Sequence, residues 1–102
     1  MSDAVPLIDI LRDAGNDRAR AEWLEAVPLH FVSTAYLDIA AVLHAAGFAP
    51  GRAYLDALHA QQHATRLPDG RYPVTVVLAT EAARSGMREA IRMGELHDSD
   101  MP

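Results

Sequence analysis

Apolar positions recur along this chain at intervals of three and four residues, with proline, glycine or polar breaks between the runs. That period is the mark of helices that bury one stripe. Leu7, Ile10, Leu11 and Ala14 share a face of a first helix, Val5 to Ala14, with Asp9 and Asp13 turned elsewhere and Gly15 as its stop. Asn16 or Asp17 caps a second helix, Arg18 to Ala26, which buries Trp23, Leu24 and Val27 and closes at Pro28. Leu29-His30-Phe31-Val32 follows as an apolar connector able to run extended, before Ser33 or Thr34 caps the next helix.

The third helix, Thr34 to Ala46, is the most apolar. Ala35, Tyr36, Ile39, Ala40, Val42, Leu43 and Ala46 make a wide face, leaving Asp38, Ala41 and Ala45 opposite and Leu37 and His44 on one flank. A helix apolar nearly all round is either central in its fold or shared with a partner. The central place is preferred in so short a chain, and Leu37 and Ala41 are the positions a partner or a second copy would cover. Gly47 ends this helix, and a fourth, Pro50 to Thr65, starts on a proline whose missing N–H costs nothing there. Tyr54, Leu55 and Leu58 are its inward side.

Leu67-Pro68-Asp69-Gly70 is the clearest turn. Beyond it, Pro73 to Ala79 reads either as a short strand or as the opening turns of one long helix that stops at Gly94. Val76, Thr80, Ala83, Met87, Ala90 and Ile91 fall on one helical face, which favours the helix. A strand would need a partner, and only the 29–32 connector offers one. The expected fold is therefore all-α, a compact bundle of four to five helices over residues 1–94. Its core is expected to hold Trp23, Tyr36, Ile39, Leu43, Leu55 and Leu58; an α+β fold with a strand at Pro73–Ala79 is the alternative. Residues 95–102 read as a flexible polar tail.

Bulk properties narrow the function. At 102 residues the chain is one domain with a single core. Its net charge of −5 leans against a nucleic-acid partner, whose phosphates reward net positive charge. With no cysteine, thiolate catalysis, disulfides and sulfur-ligated metals are excluded. The start of the chain lacks the basic and apolar regions of a signal peptide. No apolar run approaches the roughly 20 residues that span a bilayer, so a cytoplasmic setting without a membrane partner is expected. All nine basic residues are arginine and alanine is abundant, a pattern of GC-rich bacterial coding.

Three constellations carry candidate chemistry. Asp56, His59 and His63 lie within one stripe of the fourth helix, where two imidazoles at i and i+4 and a carboxylate a turn earlier could hold a metal. The fourth ligand is missing, and so is the glutamate that follows the first histidine in hydrolytic zinc helices. The third and fourth helices with the Gly47–Pro50 turn also form a loose helix-turn-helix, in which Arg52, His59 and Gln62 would read DNA. Arg84, Arg88 and Arg92, at i, i+4 and i+8, could dock an acidic surface, although Glu81 and Glu89 stand at salt-bridge spacing. Neither a nucleophile elbow nor a glycine-rich phosphate loop is present. No catalytic residue and no cofactor is assigned; His59 and His63 are the only side chains worth testing for catalysis. What remains is a small regulatory or protein-binding module that contacts a partner, or a second copy, through Arg84, Arg88, Arg92, Leu37 and Ala41.

Overall fold

The computed structural model describes residues 4–99, and among these the chain is all-α with five helices. They are α1 (Ala4–Arg12), α2 (Asp17–Ala26), α3 (Leu29–Ala46), α4 (Ala49–Gln62) and α5 (Val74–Ser99). The bundle expected from the hydrophobic period is the bundle found.

Local chemistry explains most boundaries. Asn16 caps α2 by accepting the Ala19 N–H at 2.8 Å. Gly47 ends α3 in the left-handed region, φ 69°, which spares it the penalty that a Cβ would bring, and the Phe48 N–H closes back on the Leu43 carbonyl at 3.0 Å. At the 67–70 turn, the Gly70 N–H reaches the Leu67 carbonyl at 2.8 Å.

Two expected boundaries are corrected. The 29–32 segment is neither extended nor a connector: α3 starts at Leu29 directly after Pro28, and Phe31 and Val32 are buried core residues. Ser33 and Thr34 therefore sit inside the helix rather than capping it. The Thr34 hydroxyl donates back to the His30 carbonyl at 3.0 Å, a bond that bends helices, and the backbone is kinked one residue later at Ala35 (φ −114°, ψ 19°). In the same way Gly94 does not stop α5. Its φ is not positive, so it continues the helix as any residue would, and α5 runs on to Ser99 through the start of the expected tail. The remainder of that tail lies outside the described residues. The 73–79 segment is helical, with Pro73 placed just ahead of the first turn.

The centre of the bundle is α4, not α3. It packs against α3 on one side, α5 on the other, and α2 across its start. Leu55 is fully buried there, as are Ile39 and Leu43 from α3, Leu11 from α1, Leu24 from α2 and Met87 from α5. Of the expected core, Trp23 and Tyr36 are only half-buried. The Trp23 indole N–H donates to the Leu7 carbonyl at 2.9 Å and its ring meets Phe31 edge-on, which ties α1 and α2 to the start of α3. Ile8, not Ile10, is the inward isoleucine of α1.

Helix α3 lies at the edge, packed on α1 and α4; 33% of its residues are buried, and Leu29, Tyr36 and Val42 are partly buried against the core. With residues 29–32 included it is also an apolar helix of 18 residues, long enough by length and composition to be a candidate span. One of its sides is core, and Asp38 sits near its middle.

Candidate functional site

The exposed side of α3 follows from its edge position. Leu37 is 79% exposed, the largest exposure of any large apolar side chain among the described residues. Ala41 and Ala45 continue the same face one and two turns on, flanked by Thr34, Asp38 and His44. On one side of this ridge lies a groove of 460 Å³ lined by Arg12, Arg20, Asp38, Ala41 and Ala45. On the other lies a cleft of 380 Å³ between α3 and α4, lined by Thr34, Tyr36, Leu37 and His59. Leu37 thus stands as an apolar ridge with hydrogen-bonding groups on both flanks.

Beside that cleft, side chains of α3 and α4 form a connected polar network. Tyr36 donates its hydroxyl hydrogen to Asp56 Oδ1 at 2.5 Å. Arg52 donates through Nε to the same oxygen and through Nη2 to the Tyr36 oxygen, both at 3.1 Å. The bond to Asp56, and next the one to Tyr36, raise the Arg52 pKa above its ordinary value. His59 lies against the Tyr36 ring at 4.3 Å between centroids, and His63 follows at 4.5 Å. This network is absent from the hydrophobic pattern, which placed Tyr36 in the core. Its partners lie 16 to 23 residues away, across a helix pair whose register no periodicity reveals.

The proposed metal trio does not assemble. The Asp56 oxygen that Tyr36 and Arg52 share is held toward α3, and among the described residues no three histidines or carboxylates stand close enough to hold an ion. Helices α3 and α4, with the turn between them, do have helix-turn-helix connectivity. Arg52, however, is already engaged by a carboxylate in its own helix, with Asp56 exposed beside it. Gln62 is half-buried. A groove-reading surface would thus meet phosphates with a neutralised arginine and an acid.

The α5 arginines are likewise occupied. Arg88 makes a two-pronged bond to Glu25 of α2, Arg84 reaches Glu81 at 3.0 Å and Glu25 at 3.9 Å, and Arg92 reaches Glu89 at 2.6 Å. Those carboxylate bonds raise the pKa values of Arg88 and Arg92. Glu25, directly after Trp23 and Leu24, escaped the sequence reading; its side chain is only 16% exposed. The arginines also belong to a different part of the molecule from Leu37 and Ala41: α4 lies between α3 and α5, so the five positions do not form one surface. Compared with known protein families, curated proteins and solved structures, the chain matches none.

Proposed function

We propose that this chain is a small cytoplasmic regulatory module that binds a partner protein through the exposed side of α3. The observation that carries the reading is the exposed crest of α3: in a nearly uncharged apolar helix, Leu37 stands 79% exposed, with Ala41 and Ala45 exposed on the same face beyond it. Apolar surface held in water is costly, and a contiguous exposed patch is a common mark of a docking face. The flanking Asp38, Arg12 and Arg20 supply a polar rim of the kind that surrounds interface centres. Contact centred on Leu37 and Ala41 needs no contribution from the α5 arginines, whose charges are met within the chain.

The test is Leu37→Glu. An exposed substitution of this kind alters stability by no more than about 0.5 kcal/mol, so the thermal melt stays close to wild type. The variant loses a partner that wild-type protein retains from native lysate, while a variant at the far side of the molecule, Arg92→Ala, keeps it. Wild-type protein that sediments strictly as a monomer and retains nothing that Leu37→Glu loses would sink the reading.

A further inference from the structure

The end of α4 holds a feature that the docking face does not use. His59 and His63 are one helical turn apart, and the helix geometry persists between them, since the His63 N–H still bonds the His59 carbonyl at 3.2 Å. Their ring centroids are 4.5 Å apart with planes inclined at 60°. His59 is half-buried and backed by the Tyr36 ring at 4.3 Å; His63 is exposed. One imidazole is therefore steadied by α3, and the second is free to swing toward it from solvent.

We propose that His59 and His63 form a two-imidazole site for a divalent late-transition-metal ion, with water filling the remaining positions. Imidazole nitrogen suits copper, nickel and zinc, and the order of intrinsic affinity puts Cu²⁺ first. Rings at i and i+4 can converge on one ion at nitrogen–metal distances of about 2.0–2.1 Å, which a modest rotation of the exposed His63 ring provides. Hard cations are not bound here, because they need several oxygen donors and the shared Asp56 oxygen is taken by Tyr36 and Arg52. The Tyr36 backing restricts the His59 ring before the ion arrives, so less side-chain freedom is lost on binding.

The probe is Cu²⁺ added to untagged, chelator-treated protein, followed by calorimetry and by the electron paramagnetic resonance of the ion. The expected result is one saturable Cu²⁺ per chain with two imidazole nitrogens in its signature, and a rise in melting temperature on saturation. His63→Ala, which removes an exposed side chain and leaves the fold intact, weakens binding at least tenfold and reduces the signature to one nitrogen. His59→Gln has the same effect on affinity, whereas His44→Ala leaves binding unchanged. Either a wild type without saturable binding or a His63→Ala variant that binds as wild type overturns the proposal.

Discussion

Two glycines show how one residue type takes opposite roles in this molecule. A Cβ added at Gly51 would lie 2.4–2.5 Å from the Phe48 ring and 3.2 Å from Leu24. Phe48 is itself buried and cannot swing aside. Gly51→Ala is therefore expected to destabilise by about 1–3 kcal/mol through overpacking, despite the gain of up to about 1 kcal/mol in helix propensity. At Gly86, inside α5, nothing lies within 4 Å of the same added atom. Gly86→Ala should stabilise by roughly 0.5–1 kcal/mol. Urea unfolding of the two variants checks both signs at once, and equal shifts would refute the packing argument.

Neither glycine was distinguishable by its neighbours in sequence. The pattern reports which residues face inward, as it did for Leu24, Leu43, Leu55 and Met87. It does not report how closely two backbones approach. The Tyr36–Asp56–Arg52 network was invisible for the related reason that its geometry depends on where α3 sits against α4.

At the level of the helices, period and breaks were enough to show five elements, and they failed where a break residue had two physical meanings. Pro28 both ends α2 and opens α3, so the apolar run after it was read as a connector although it is the first turn of a helix. A glycine stops a helix when it turns left-handed, as Gly47 does, and does not when it stays helical, as at Gly94. The pattern also made α3 central, because it sees how apolar a helix is and not how many neighbours it has. Contacts between elements rest partly on charge. Glu25, with a side chain only 16% exposed, accepts from Arg88 and approaches Arg84, so α2 is clamped to α5 at this point. Glu25→Ala strands Arg88, while Arg84 keeps Glu81, and should cost about 1–2 kcal/mol, the range for a hydrogen bond to a charged group partly open to solvent. The exposed pair within α5 is the control: Glu89→Ala should change stability by less than about 0.5 kcal/mol. If both variants unfold at the same denaturant concentration, the clamp is not a stabilising contact.

As a whole, the molecule is flat, 56 × 37 × 18 Å, with a radius of gyration of 14.8 Å against about 13 Å for a compact chain of this length. Its accessible surface is 6606 Å², roughly 900 Å² more than the size scaling of compact monomers gives. That surplus follows from the flat shape, which leaves most helices with one side open to solvent.

Charge then sets where the fold is stable. Glu89 and Glu95 have lowered pKa values, first through bonds from Arg92 and Arg18, and Asp69 is lowered first by the Arg71 backbone N–H and next by its side chain. A carboxylate depressed in the folded state adds stability above its unfolded pKa and loses it as pH falls through the folded one. The fold should hold from neutral pH to about 5 and weaken below about 4, more gently in high salt because these pairs are exposed. Tyr54 has the opposite sign: burial, with Glu25 next, raises its pKa, so its contribution is complete below pH ~10 and disappears as the phenol ionises above that. Melting temperatures across pH 3 to 11 test both limbs; a flat alkaline limb would contradict the Tyr54 assignment.

The bond from the Trp23 indole to the Leu7 carbonyl gives the protein a built-in optical reporter. Trp23 is the only tryptophan, so its emission reports the α1–α2–α3 corner alone. Detachment of α1 would free the indole N–H to water and shift the emission to longer wavelength while circular dichroism still records the helices around α4. A red shift that precedes the loss of helix during unfolding would identify α1 as the first element to leave.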